Sequence, residues 1–350
     1  MKSFLPRFSF LLASFASVSA VDSSHYMDMV IIQESGLPAP IGGPIDRSKH
    51  EELRRPITIW LENNREFQGT LAGVDDERIS LRLIQDGGEV LLSFPVEEIK
   101  KVFFPGERVA IEAADMIDSG EYQAALPYLE SIIGARFRLF PFLPPEEKTL
   151  FRFLPLAALS VDNPAQAIAY VRALRPFLSL EGDQDTLRDV ELRAYYELRL
   201  MDEASKRAQD WIEETERYGE SALGQFILAS IQFEKEEFEE ALFTVLQPIV
   251  FSGEIPVSFL SHCYSIAIAS SELIGDVKQR DELIAEMIRR GIEWKPLEII
   301  TAHRSNLANL VILDAYGTPI DLFAVEDEFR SMKDNPENGS YLDPSGLVPL

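Results

Sequence analysis

One short motif recurs five times between residues 120 and 280, and it constrains the fold of this 350-residue chain more than any other feature. The first copy is Gly120–Ala125, and weaker copies begin at Asp162, Arg199, Glu236 and Gly275. The copies end at positions 125, 167, 204, 241 and 280, which gives steps of 42, 37, 37 and 39 residues. We interpret each copy as a turn between two helices, because an apolar or proline residue opens a helical pattern and a small residue usually follows three positions later.

The spacing of small residues links this motif to a known family. A small residue lies twelve positions before the final alanine in two copies, at Ala113 and Ala229. This pattern resembles the tetratricopeptide repeat (TPR), although the family period of 34 residues is shorter and its tryptophan and closing proline are mostly absent here. The resemblance spans about residues 105–290 and implies a mainly α fold, a TPR-like α-solenoid of helical hairpins. Generic antiparallel helical hairpins are the alternative.

The resemblance also implies a binding groove, since the first helix of each repeat lines the concave face in this family. Carried over by register, six residues face that groove: Arg193, Tyr196, Glu197, Phe226, Phe233 and Glu234. The rings would supply contact area, and the charged groups would fix the register of an extended or helical peptide. We therefore expect a non-catalytic protein-binding scaffold or assembly factor. An exported hydrolase with a carboxylate-lined cleft between the two domains is the main alternative, and a structural spacer is a third.

A small β module precedes the helices. Alternating apolar residues at Ile57–Leu61 and Ile79–Leu83, with glycines at likely bends, predict five short strands between residues 56 and 105. The run Leu61–Asp75 resembles the opening of Sm-like small barrels, which implies an Sm-like or SH3-like β-barrel. The asparagine and the Arg-Gly pair that bind RNA in that family are absent, because the matching stretches are Asp76–Ile79 and Glu97–Lys101. The resemblance therefore implies the fold without the RNA ligand.

The N-terminus has the pattern of an export signal. Lys2 and Arg7 precede an apolar run, and Val18-Ser19-Ala20 is typical of a signal-peptidase site. We expect cleavage after Ala20 and a periplasmic or secreted protein without membrane insertion. The complete prediction is a signal peptide at 1–20, a tether at 21–55, the barrel at 56–105, repeats at 106–332 and a flexible tail at 333–350.

Composition excludes several classes of function. The 58 acidic and 33 basic residues give a net charge of −25, which disfavours nucleic acid and anionic lipid as partners. Twelve acids and four bases between Asp202 and Glu240 favour solvated helix faces, or else a basic segment on a protein or peptide partner. One cysteine and four scattered histidines predict no metal site and no cofactor, and the common nucleotide-binding and hydrolase motifs are absent.

Three further segments carry predictions. The phenylalanine-rich stretch 137–153 is interpreted as a buried spacer, or as a partner-docking loop if it is exposed. Cys263 lies in an apolar helical context, so we expect it to be buried. Proline and capping residues predict closing helices at Pro296–Ala315 and Pro319–Met332, with a β-hairpin through Leu310–Leu322 as the alternative.

Overall fold

The computed structural model describes residues 30–33, 36–75, 77–85, 88–143, 145–214, 221–252, 257–313 and 317–324. Within these residues the protein is mainly helical, with an antiparallel sheet before the helices. The predicted signal peptide and the predicted tail lie outside the described residues.

A short helix, α1 (Arg47–Leu53), precedes five antiparallel strands in the order β4-β3-β2-β1-β5. The strands are β1 (Ile57–Leu61), β2 (Glu66–Val74), β3 (Arg78–Gln85), β4 (Gly88–Pro95) and β5 (Ile99–Phe103). The prediction of a closed barrel is wrong, because β4 and β5 are the two edges of the sheet and do not pair with each other. The glycine-containing strand β2 changes partner along its length, since it pairs with β1 up to Gly69 and with β3 from Thr70 onward.

Ten longer helices of the described residues then form five successive hairpins, and a one-turn helix (Pro145–Lys148) flanked by 3₁₀ turns at Phe137–Phe142 and Thr149–Arg152 lies between the first and the second hairpin. They are α2 (Glu107–Asp118), α3 (Tyr122–Arg136), α4 (Phe153–Leu159), α5 (Pro164–Leu174), α6 (Glu181–Glu197), α7 (Met201–Glu214), α8 (Leu223–Glu234), α9 (Phe238–Phe251), α10 (Leu260–Ile274) and α11 (Val277–Arg289). Each helix packs against the next along the chain, and α4, α6, α8 and α10 also touch in sequence. The first helices of the second to fifth hairpins therefore lie side by side.

The five hairpin turns occur where the repeated motif predicts them. The first residue of each motif has a left-handed backbone, with φ between 57° and 86°, at Gly120, Asp162, Arg199, Glu236 and Gly275. In each turn the next residue donates its N–H to the carbonyl five positions earlier, as in Asn163 to Ala158 at 3.2 Å. This pair of features defines the Schellman helix ending, so one local geometry closes the first helix of every hairpin.

The small residues of the motif lie where the paired helices approach. Ala125, Ala167, Ala204 and Ala241 are fully buried. In the fifth copy Arg280 replaces the alanine, and its guanidinium forms an ion pair with Glu272 of α10. The sequence prediction of a helix start at Pro164 is confirmed, because the side chain of Asn163 accepts a hydrogen bond from the backbone of Gln166.

The segment predicted as a tether is held against the first two hairpins where the structure describes it. The carboxylate of Glu130 on α3 accepts hydrogen bonds from the backbone of Ile41 and Gly42, both at 2.8 Å, and from the hydroxyl of Tyr170 at 2.6 Å. The side chain of Gln166 donates to the carbonyl of Ala39 at 2.7 Å. Polar main-chain groups of residues 39–42 therefore have specific partners on α3 and α5.

The predicted closing helices are wrong over the described residues. Only α12 (Glu298–Thr301) is helical within Pro296–Ala315, and residues 319–324 are not helical. The alternative β-hairpin agrees better with the structure, in which Leu313 and Pro319 form an isolated antiparallel bridge and the N–H of Ile320 donates to the carbonyl of Ile312. Two local contacts explain the difference. Pro319 lies in the bridge, and Asp321 accepts a hydrogen bond from Phe323 in a turn instead of capping a helix.

Two predictions of burial are confirmed. Phe137, Phe140, Phe151 and Phe153 are buried and Phe142 is partly buried, with the Phe140 and Phe151 ring centroids 5.0 Å apart, which matches the interpretation of a buried spacer. Cys263 is buried within α10, and burial raises the pKa of its thiol.

Candidate protein-binding surface

The six predicted groove residues lie on two neighbouring first helices. Arg193, Tyr196 and Glu197 belong to α6, and Phe226, Phe233 and Glu234 belong to α8. Tyr196 and Phe233 lie three residues before the left-handed turn residue of their hairpins, Glu197 and Glu234 lie two before it, and α6 contacts α8. The two sets therefore lie on helices that touch, and their role in a binding groove stays a prediction.

The aromatic members of this set do not form an open surface. Phe226 and Phe233 have no exposed area, and Tyr196 is 5% exposed. The Phe226 ring stacks on Phe259 at 5.6 Å and lies 4.9 Å from the ring of His262. The expectation that these rings offer contact area to a partner is corrected here, because they pack between neighbouring hairpins.

The charged members stay near the surface. Arg193 and Glu197 lie one turn apart on α6, and a guanidinium nitrogen of Arg193 is 3.8 Å from a carboxylate oxygen of Glu197. Their side chains are 12% and 21% exposed. Glu234 pairs with Arg199 at 2.7 Å. Binding of a partner by Arg193, Glu197 and Glu234 remains a prediction.

Sequence reasoning missed Arg199, which joins three parts of this surface. Its guanidinium pairs with Glu234 of α8 and, at 3.5 Å, with Glu298 of α12, and it lies 5.8 Å from the centroid of the Tyr196 ring. Arg199 occupies the left-handed turn position, where the other copies have glycine or an acid. A long basic side chain at that recurring position was the available signal.

A segment of the same chain covers the predicted groove side of α8 and α10. The backbone N–H of Lys295 donates to the hydroxyl of Ser265 on α10 at 3.0 Å. The ring of His303 meets Phe233 and Phe238 edge-on, each at 5.3 Å between centroids. We call residues 294–303 the covering segment, and its position accounts for part of the burial of the predicted groove rings.

Buried ionisable groups near this surface have perturbed pKa values, and each has a local cause. Burial, together with the charge of Lys295, lowers the pKa of His262 to about 3, so this ring is neutral at pH 7. Burial raises the pKa of Asp189 to about 7, although Trp211 donates its indole N–H to this carboxylate at 2.9 Å. Both groups lie in packed positions between helices.

The described ranges hold no candidate metal site and no candidate membrane span. There, no three His, Cys, Asp or Glu side chains lie close enough together to hold a metal ion. None of the helices placed by the structure has both the length and the apolar character that crossing a membrane requires.

Comparison with known proteins yields a structural likeness. No family model matches the chain, and no curated protein matches it. Among solved structures it is similar to that of YrrB, described as a TPR protein with an unusual peptide-binding site, at 12% sequence identity and a TM-score of 0.37. The match covers 57% of this chain and 92% of that chain.

Proposed function

We propose that this protein is an exported, non-catalytic scaffold that binds a protein or peptide on a TPR-like solenoid. The observation that carries the proposal is the run of five hairpins closed by the same left-handed turn, with the first helices α4, α6, α8 and α10 in contact one after another. Repeats that stack in this way build a continuous surface long enough for an extended partner segment.

The charged part of that surface gives the proposal its residues. Arg193 and Glu197 are partly exposed on α6, so they can fix the register of a partner by charge. No observation favours the hydrolase hypothesis, since the perturbed carboxyl of Asp189 is fully buried and is held by Trp211.

Site-specific photo-crosslinking in intact cells tests the binding proposal. A crosslinking residue in place of Glu197 should give one protein adduct of defined mass, and Arg193→Ala in the same chain should reduce its yield. A crosslinker in place of Glu239, which is exposed on α9, is the matched control and should not give that adduct. Equal adducts from both positions, or no adduct from either, would contradict the proposed surface.

Export is proposed from the N-terminal sequence. The mature protein should begin at Val21, which N-terminal sequencing of protein purified from its source would show. Purified protein that still begins at Met1 would contradict export, and it would leave the crosslinking result unaffected.

A further inference from the structure

We propose that the edge strand β4 pairs with the β4 of a second copy of this chain and joins the two sheets across a two-fold axis. β4 is one edge of the sheet, and among the described residues no strand pairs with its outer side. Such self-association through the sheet is separate from the protein binding proposed for the helices.

The register of β4 shows which of its backbone groups point away from the sheet. Just beyond the strand end, the N–H of Val96 donates to the carbonyl of Glu77 at 2.8 Å, and the β3–β4 pairing continues from there without a shift. Hydrogen-bonded positions alternate along an antiparallel pair, so every second residue of β4, counted back from Val96, bonds to β3. The residues between them direct backbone groups at the outer edge, and those with an N–H are Glu89, Leu91 and Ser93.

The outer edge of β4 lacks the features by which sheet edges usually avoid pairing. Proteins commonly protect such edges with lysines, prolines or very short strands. β4 has eight residues, its proline stands at the last position, and it holds no lysine. The opposite edge, β5, has five residues and carries Lys100 and Lys101. β4 is therefore the edge that can accept another strand.

The side chains around this edge favour a second copy as its occupant. Leu91 is 63% exposed, and Ile84, which lies opposite Glu89 on β3, is 84% exposed. Residues 78–95 hold two arginines and two acids, so the β3–β4 hairpin is neutral within a chain of net charge −25. Two acidic chains that repel each other over most of their surface can therefore approach at this hairpin.

One register suits the residue types of both strands. With the two-fold axis at Leu91, this side chain meets its own copy, and Glu89 lies opposite Ser93 of the second copy. The N–H groups of all three residues then have carbonyl partners. The carboxylate of Glu89, which is 3.7 Å from Arg82 of its own chain, can accept a hydrogen bond from the Ser93 hydroxyl across the axis. An axis at Glu89 would instead place two carboxylates opposite each other.

Single cysteine substitutions in the full chain test this register. Leu91→Cys should give a disulfide-linked dimer under mild oxidation, because opposite residues have Cα atoms about 5.5 Å apart, within the range of a disulfide. Ser93→Cys is the matched control, since the same residue of the second copy lies about 13 Å away along the strands, too far for the bond. The native Cys263 is buried and does not interfere. Equal yields from both variants, or no linked dimer from Leu91→Cys, would overturn the proposal.

Sedimentation equilibrium of the full chain tests the dimer without any crosslink. We expect the wild type to follow a monomer–dimer equilibrium. Leu91→Lys should weaken its Kd by about tenfold or more, because the change places two like charges opposite each other. Phe103→Lys, at an exposed position of the other edge strand β5, is the matched control and should leave the Kd unchanged.

Circular dichroism checks that both lysine variants are folded, which we expect because Leu91 and Phe103 are exposed. Equal weakening by the two folded variants would contradict pairing through β4. A wild-type chain that stays monomeric up to its solubility limit would also overturn the proposal, and it would leave the edge to an extended segment of another protein.

Discussion

Asp189 shows how a single carboxyl can make the stability of this protein depend on pH. It lies on α6 at the contact with α7, and it is fully buried beside the indole of Trp211. Because burial raises its folded-state pKa from 3.8 to about 7, the folded protein holds this proton more tightly than the unfolded chain does. Stability therefore falls as the pH rises from about 4 to about 7 and is level above that range.

Asp189→Asn should remove this loss, because asparagine keeps an oxygen for the Trp211 indole and carries no charge. The free energy of unfolding in urea is measured for variant and wild type at pH 5 and at pH 8. We expect the difference in favour of the variant to be larger at pH 8 than at pH 5 by about 1–3 kcal/mol. Glu181→Gln, at an exposed position on the same helix, is the control. A gain that is the same at both pH values would show that the proton on Asp189 is not responsible.

At the scale of the helical elements, the five hairpin turns share a conformation that side chains tolerate poorly. Gly275 and Gly134 allow a clean comparison, since a methyl group at either position would meet no other atom within 4 Å. They differ in backbone conformation, because Gly275 has a φ of 86° at the end of α10 and Gly134 lies inside α3. A substitution at both positions therefore isolates the effect of the turn.

Gly275→Ala should destabilise the protein by about 1–2 kcal/mol, because alanine is strained in the left-handed region. Gly134→Ala should instead stabilise it by about 0.5–1 kcal/mol, since glycine is unfavourable inside a helix. Urea unfolding of both variants measures the two changes. Destabilisation of similar size at both sites would mean that the turn geometry is not the cause.

The same elements show what could be predicted from the sequence. The turns at Gly120, Asp162, Arg199, Glu236 and Gly275 were predictable because local residues determine a helix ending. Whether the strands close into a barrel could not be predicted from local residues, because closure depends on whether the distant edge strands β4 and β5 meet. The burial of Phe233 was also beyond local patterns, since His303, which packs on it, lies 70 residues further along the chain.

At the scale of the whole molecule, the chain segments directly before and directly after the sheet are both hydrogen-bonded to the first two hairpins. Residues 39–42 before it are bound by Glu130 and Gln166. After it, Arg136 donates to the carbonyl of Pro105 at 3.0 Å. The sheet thus lies between two attachments to the helical array.

Glu130→Gln should weaken the first of these attachments. Glutamine replaces one accepting oxygen by an amide NH₂ group, which cannot accept from a backbone N–H, so we expect a loss of about 1–3 kcal/mol in unfolding free energy. Hydrogen exchange of the amides of Ile41 and Gly42 should become faster. Glu121→Gln, an exposed residue before α3, should change neither measurement. Unchanged exchange in Glu130→Gln would argue that Glu130 does not hold this segment.

The buried position of Cys263 gives the protein a natural chemical reporter. It is the single cysteine of the chain, it lies inside α10, and burial keeps its thiol protonated. A thiolate-selective reagent can therefore modify the native chain only when the fifth hairpin opens. The rate of modification reports how often that end of the array separates from its neighbours, and no residue has to be changed to measure it.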